Sequence, residues 1–212
     1  PALEVPKQDF IVAPPLVMKD QEETDLCAAY AITEISEDQE GVELSPEYIF
    51  AQAKKIEGKG PDTWGAKLEH VAKAAVKVGF IEQSQAPLSW RENGRNLIAD
   101  WKAWPDMNES AAMHKKDAYF EVDGKYDTFD NILATLWKYR DEKRTILTGA
   151  FWRATWTIAQ DGIIPLWDTN GQFGHAFKFF GMKIINYEPH IVAQLSNGTD
   201  IGDKGIFYFP RR

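Results

Sequence analysis

Apolar residues in the first third of the chain recur every three or four positions, which is the spacing of helices that bury one face. The first two runs each follow polar residues suited to capping a helix, and the second has Pro46 at its first helical position. Glycines follow the runs and end them. The pattern predicts three helices, from Thr24 or Asp25 to about Gly41, from Ser45 to about Ile56, and from Thr63 or Trp64 to Val78.

The last third of the chain holds short runs of β-branched and aromatic residues, which are typical of strands. A fourth helix, from Thr128 to about Arg140, precedes them. Residues 87–127 contain turn signals and tryptophans without helical spacing, so this stretch is predicted to separate two parts of the fold. The runs predict strands over residues 145–152, 175–185, 191–195 and 205–209, and the whole pattern predicts an α+β fold.

Composition and charge restrict the partners of the chain. Its 212 residues are 44% hydrophobic and 13% aromatic, as in a globular protein, and the net charge of −8 argues against a nucleic-acid-binding surface. No apolar run approaches the ~18 residues of a membrane-spanning helix. With one cysteine and no paired Cys-x-x-Cys or His-Glu-x-x-His motif, we expect no intrachain disulfide, no metal and no cofactor. The sequence predicts a soluble protein without nucleic-acid or membrane partners.

The single cysteine, Cys27, lies at the predicted start of the first helix. Unpaired N–H groups and the helix dipole at such a position favour a thiolate and lower the pKa of a thiol from its usual value near ~8.5. A thiolate is the nucleophile of cysteine-dependent acyl transfer. A free cysteine is also commonly a small buried apolar side chain. Both interpretations stay open on this position alone.

Two further residues match roles in acyl transfer. Gln21, six residues before Cys27, carries a carboxamide N–H that would complete an oxyanion hole with the backbone N–H of Cys27. His175 follows Gly174 and begins an apolar strand, where a sheet can hold an imidazole rigidly at the mouth of a cleft. The other histidines are predicted to lack such a role, His70 and His114 as solvated side chains and His190 as a turn residue.

Several short segments occur in a fixed order along the chain, and this order is more specific than any one of them. They are Gln21 before Cys27, Leu44-Ser45-Pro46-Glu47 opening the second helix, Trp64-Gly65 ahead of the third, Gly79-Phe80-Ile81 closing it, Gly162-Ile163-Ile164, His175-Ala176-Phe177, and Ser196, Gly198 and Thr199 before Gly202 and Gly205. In this order the segments resemble a papain-like cysteine peptidase over most of the chain.

The resemblance implies one papain-like domain over residues 1–212, with two lobes and an active-site cleft between them. The helical left lobe would cover about residues 20–105. The β-barrel-like right lobe would cover about residues 106–212, together with the extended N-terminal segment.

The resemblance also implies hydrolysis of peptide bonds by a Cys27 thiolate and a His175 imidazolium on opposite walls of the cleft. Gln21 would donate to the oxyanion, and backbone at Trp64 and Gly65 would pair with an extended substrate. The partner would be a peptide or protein substrate, and no cofactor is implied.

The chain departs from the family pattern at two places. Leu195 stands where the family has an Asn that holds the imidazole, and Asn197 is the alternative orienting residue if the strand continues and turns both to one face. The family's disulfide near the nucleophile is also missing. A disulfide-free member suggests a bacterial, archaeal or viral protein, cytoplasmic or virion-associated rather than lysosomal.

Two alternatives to an active peptidase stay open on the sequence. The first is a catalytically impaired papain-like scaffold that acts as a binding or structural module, which Leu195 and Ala28 favour. The second is an amidase or transferase that uses the same site on a different acceptor.

Overall fold

The computed structural model describes residues 4–58, 65–86, 107–122, 128–166, 171 and 173–211. Within these ranges the helices are α1 (Cys27–Glu40), α2 (Pro46–Glu57), α3 (Leu68–Lys77), α4 (Asn108–Ala112), α5 (Thr128–Lys138) and α6 (Ala154–Thr157), with 3₁₀ turns at Gln83–Gln85 and Arg140–Glu142. The strands are β1 (Phe10–Ile11), β2 (Ile146–Trp152), β3 (Phe173–Ile185), β4 (Glu188–Gln194) and β5 (Ile206–Pro210). Among the described residues, no helix combines the length and apolar composition that crossing a bilayer requires.

The start of α1 differs from the prediction. Leu26 is the N-cap residue in place of Thr24 or Asp25, and no side chain caps the helix. The Thr24 hydroxyl instead donates to the Gln21 carbonyl at 2.6 Å. Cys27 is therefore the first helical residue, at a helix end where no side-chain cap takes up the first N–H groups.

The remaining ends of α1 and α2 agree with the prediction, because local signals determine them. Ser45 caps α2 by accepting the N–H of Tyr48 at 3.2 Å, and Pro46 is the first helical residue. Gly41 and Gly58 end α1 and α2 with left-handed φ values of 72° and 68°.

Some predictions concern residues outside the described ranges. The third helix is predicted to begin at Thr63 or Trp64, which both lie outside them, and the described helix α3 begins later, at Leu68. Most of the predicted boundary region also lies outside. Within its described part, the chain forms α4, a five-residue helix that the apolar pattern did not predict.

The described strands form one antiparallel sheet. Its order is β1-β3-β4-β5. β2 pairs with β3 on the same edge as β1, but with an earlier part of the strand. Each predicted strand is present within a few residues of its predicted ends, whereas β1, with two residues, is too short for a pattern to reveal. In the described part of the chain the sheet does not close, so the expected barrel-like lobe is an open sheet. The α+β fold class is confirmed.

The two largest groups of buried apolar side chains in the described residues form most of the core, and α1 lies between them. α1 is buried continuously from Ala28 to Asp38, so the prediction that it buries one face is wrong. It packs against α2 and α3 on one side and β3 on the other. The helical group includes Ile49, Val71 and Phe80, and the sheet group includes Leu133, Phe177 and Phe207.

A buried ion pair joins α1 to β3. The ammonium of Lys178 donates to both carboxylate oxygens of Asp38 at 2.8 and 2.9 Å, and each side chain is only 1% exposed. Removing one partner of such a pair leaves a buried charge, which costs about 3–5 kcal/mol. Lys178 lies in β3, three residues after His175. The pair therefore fixes the strand that carries His175 against the helix that begins at Cys27.

Candidate active site

A cavity of about 620 Å³ brings together four candidate residues that are spread along the chain. Gln21 comes from the turn before α1, Cys27 from the first position of α1, His175 from the start of β3, and Asn197 from the segment after β4. An adjoining groove of about 630 Å³ shares Cys27, Gly65 and His175 with the cavity. The cleft therefore contains every sequence-predicted site residue that the structure describes.

The thiol of Cys27 is partly buried at the start of α1. Burial has the largest effect and raises the pKa of the thiol above its ordinary value, and Asp25 acts in the same direction. Backbone N–H groups of Ala176, Ala28 and Cys27 itself lower the pKa and oppose these effects. Ala176 directly follows His175, so its N–H brings the sulfur next to the part of β3 that carries the imidazole.

The imidazole of His175 is held on two sides. Its Nε2 lies 3.0 Å from Oδ1 of Asn197. Because a carbonyl oxygen only accepts, Nε2 carries the proton and Nδ1 keeps its lone pair. The ring also packs edge-on against the buried Trp152, with centroids 5.4 Å apart. This bond leaves Nδ1 as the ring nitrogen that can accept a proton.

Burial disfavours the charged forms of both groups in the site. It lowers the pKa of His175 to about 4, and the hydrogen bond with Asn197 opposes this effect. It also raises the pKa of the Cys27 thiol. Burial thus acts against the thiolate and imidazolium pair that the sequence predicts, and that pair stays a prediction.

Asn197, and not Leu195, contacts the imidazole. β4 ends one residue before Leu195, whose side chain is buried in the sheet core with 1% exposure. The predicted continuation of the strand is therefore wrong. Instead, residues 196–198 pair with residues 19–21 through two backbone hydrogen bonds of 2.7 and 3.1 Å. This pairing presents Asn197 to His175 from the segment beyond the strand.

Gln21 lines the cavity with Cys27, and its carboxamide already makes two hydrogen bonds within the protein. One N–H donates to the carbonyl of Thr24 at 2.8 Å, and Oε1 accepts from the hydroxyl of Ser196 at 2.7 Å. A carboxamide nitrogen has two N–H groups, so one is left for an oxyanion. The two bonds fix the orientation of the amide.

The segment predicted to pair with substrate is described only in part. Trp64 lies outside the described residues. Gly65 lines both the cavity and the groove, with a left-handed φ of 64° that favours glycine. Its carbonyl accepts from the ammonium of the buried Lys54 at 3.0 Å, which fixes the backbone there. Pairing of this segment with substrate stays a prediction.

The other histidines line neither the cavity nor the groove, and they are less solvated than predicted. His114 pairs with the carboxylate of Glu40, and Nδ1 of His70 lies 4.0 Å from that of Glu57. His190 belongs to β4 and is 6% exposed, so its prediction as a turn residue is wrong. Within the described ranges, no three His, Cys, Asp or Glu side chains are placed to hold a metal ion.

Two neighbours of the site were not singled out from the sequence. Trp152 reaches His175 because β2 and β3 pair in a register that sets Trp152 opposite Phe173. Ser196 fixes Gln21 across the pairing of the two loop segments. Trp152 stands at the end of a predicted strand, and that position could have indicated a place beside the site. For Ser196, the only signal in the sequence was its place among the segments that carry the resemblance.

Comparison with solved structures identifies the fold. The chain is similar to xylellain, a cysteine protease from Xylella fastidiosa, with a TM-score of 0.77 and 20% identity over 98% of this chain and 80% of that one. It is similar to proCathepsin B S9 from Trypanosoma congolense, with a TM-score of 0.70 and 16% identity over 99% and 73% of the two chains. It is also similar to procathepsin L 3 from Tenebrio molitor larval midgut, with a TM-score of 0.68 and 12% identity over 97% of this chain and 70% of that one.

Comparison of the sequence alone does not reveal this similarity. No protein-family model matches the chain, and no curated protein matches it. The structural likeness spans nearly the whole chain at low identity. The chain therefore has a papain-like fold, as its ordered segments predicted.

Proposed function

We propose that the chain is a papain-like cysteine peptidase that hydrolyses peptide bonds of peptide or protein substrates. The observation that carries this proposal is the single cavity that contains Cys27, His175, Gln21 and Asn197. These residues supply a nucleophile, a base, an oxyanion donor and a group that orients the base. The helical and sheet cores would form the two lobes on either side of the cleft.

In the first step, Nδ1 of His175 accepts the thiol proton while Sγ of Cys27 attacks the peptide carbonyl. The backbone N–H of Cys27 and the remaining N–H of Gln21 donate to the oxyanion. The imidazolium then protonates the leaving amine, the C–N bond breaks, and a thioester remains on Cys27.

In the second step, His175 takes a proton from water, whose oxygen attacks the thioester and releases the carboxylic acid. Asn197 supports both steps by accepting the N–H of Nε2, which keeps Nδ1 directed to the reaction. The same hydrogen bond raises the pKa of His175, so it stabilises the imidazolium that each step requires.

Product analysis in water labelled with ¹⁸O tests the proposal. The purified protein is incubated with a peptide library, and the new termini are read by mass spectrometry. Hydrolysis adds one labelled oxygen to each new carboxyl terminus, whereas transfer to an added amine leaves no label. Labelled products are expected. Amine adducts alone would favour a transferase, and the absence of any product would exclude the peptidase function.

Replacement of Gln21 by alanine is expected to lower kcat by roughly 30- to 1,000-fold, because an oxyanion donor contributes about 2–4 kcal/mol to the transition state. KM should change little. Ser196→Ala is the matched control, since it removes the hydroxyl that fixes the carboxamide but keeps its N–H donors. Gln21→Glu keeps the acceptor for Ser196 but lacks the donors. Equal losses in the Ser196 and Gln21 variants would contradict the oxyanion role.

A further inference from the structure

A lysine side chain lies fully buried behind the groove. Lys54, on α2, has an exposed fraction of 0%. Burial of an ammonium group is unfavourable unless polar partners surround it, and an apolar side chain would fill the same space without that penalty. The interior position of this charge therefore indicates a role beyond packing.

The ammonium of Lys54 bonds to two residues of the groove wall. It donates to the carbonyl oxygen of Gly65 at 3.0 Å, and to Oε2 of Glu57, one helical turn further along α2, at 3.1 Å. Both acceptor residues line the groove. The carboxylate of Glu57 balances the buried charge, and the bond to Gly65 is a charge-assisted hydrogen bond. Lys54 thus holds the backbone of the groove wall from the interior.

Gly65 does not fix the orientation of its own carbonyl. Its φ of 64° lies in the left-handed region, and glycine rotates about its backbone bonds more freely than residues with a Cβ. The peptide group that joins Gly65 to Ala66 could therefore turn either its carbonyl or its N–H toward the groove. The charged bond from Lys54 selects one of these two orientations.

The selected orientation leaves the N–H of Ala66 for a ligand. In a planar trans peptide group, the carbonyl of one residue and the N–H of the next point in opposite directions. The described residues contain no cis peptide bond, so the N–H of Ala66 points away from Lys54. Ala66 lines the groove, and its N–H makes no backbone hydrogen bond within the described residues. An extended peptide carries carbonyl oxygens that such a donor can bind.

We infer that Lys54 is a positioning residue for substrate binding. It holds the carbonyl of Gly65 and thereby directs the N–H of Ala66 into the groove, where this N–H donates to a backbone carbonyl of an extended peptide. The inference rests on the proposed peptidase function. Lys54 itself lines neither the cavity nor the groove, and a bond to the substrate backbone is made in the ground state and in the transition state alike. Its effect therefore falls on KM and not on kcat.

Replacement of Lys54 by methionine tests this inference, because methionine has a similar length but no N–H donor. A peptide that the protein cleaves is compared with two shortened forms, each with a single residue left on one side of the scissile bond. We expect KM for the full peptide to rise at least about tenfold in the variant, while kcat changes less than about twofold. For the shortened form that no longer reaches the groove, both proteins should have the same KM.

Lys55→Met is the matched control, since it makes the same substitution at the next residue of α2, whose side chain is exposed. It should keep the KM of the unmodified protein for all three peptides. The double variant Lys54→Met/Glu57→Gln controls for misfolding, because it also removes the carboxylate that Lys54 balances. It should stay folded in thermal unfolding and show at least the same rise in KM for the full peptide.

The outcomes separate the two proposals. An unchanged KM for the full peptide in Lys54→Met, or a rise of the same size for the full peptide and both shortened forms, would overturn the positioning role alone. A loss of kcat of the same size for all three peptides would also overturn it, because that result assigns Lys54 to the stability of the fold. Failure of the unmodified protein to cleave any peptide would overturn the peptidase function and the positioning role with it.

Discussion

Replacing Cys27 by serine is expected to lower peptide hydrolysis by at least about 10⁴-fold while the protein stays folded. The hydroxyl of serine is a far weaker acid than a thiol. His175, whose pKa burial lowers to about 4, is too weak a base to remove its proton efficiently. Initial rates on a peptide found to be cleaved, together with thermal unfolding of both proteins, provide the measurement.

The control for this variant is Cys27→Ala, which should lose as much activity without the hydroxyl. Cys27 is the only cysteine in the chain, so no second thiol can account for residual turnover. A serine variant that keeps more than about 1% of the rate would assign the reaction to another nucleophile.

Replacing His175 by alanine is expected to lower kcat/KM near neutral pH by about 10³-fold or more, because the same imidazole acts as base and acid. The unmodified enzyme should lose activity as the pH falls through about 4, where His175 becomes protonated and can no longer accept the thiol proton. The variant should gain activity only at alkaline pH, where hydroxide ionises Cys27, because burial raises the pKa of that thiol.

His114→Ala is the matched control, because it removes another largely buried imidazole that lies outside the cleft. It should keep the pH profile of the unmodified enzyme. The effects of Cys27→Ser and His175→Ala should not add, since the two residues act as one unit. An additive double variant, or a His175 variant with the original pH profile, would contradict this account.

Much of the fold was predictable because its signals are local. Ser45 and Pro46 determine the start of α2 from their own chemistry, and Gly41 and Gly58 end helices because they tolerate a left-handed backbone. The strands of the sheet follow from runs of β-branched and aromatic residues. The order of short segments then predicted the papain-like fold, although no single segment was decisive.

The details of the site were less predictable because they depend on contacts between distant segments. Asn197 meets His175 only because β4 ends before Leu195 and residues 196–198 pair with residues 19–21. Nothing in the local sequence determines where that strand stops. Whether the sheet closes into a barrel likewise depends on which strand edges pair, and those strands come from distant parts of the chain.

The pKa shifts of Cys27 and His175 were the other feature that could not be predicted from the sequence. A cysteine at a helix start favours a thiolate when only the helix is considered. The structure adds burial, which outweighs the backbone N–H groups at Cys27 and lowers the pKa of His175. The burial of both groups depends on the packing of α1 against β3, which no local pattern in the sequence reveals.

Alkylation of Cys27 by iodoacetamide, followed across the pH range in the unmodified protein and in His175→Ala, tests the pairing of sulfur and imidazole most directly. The account predicts that near pH 6 the unmodified protein reacts at least about 100-fold faster than the variant, and that its rate falls as the pH drops through about 4. Identical profiles for the two proteins, each rising only at alkaline pH as the free thiol ionises, would contradict it.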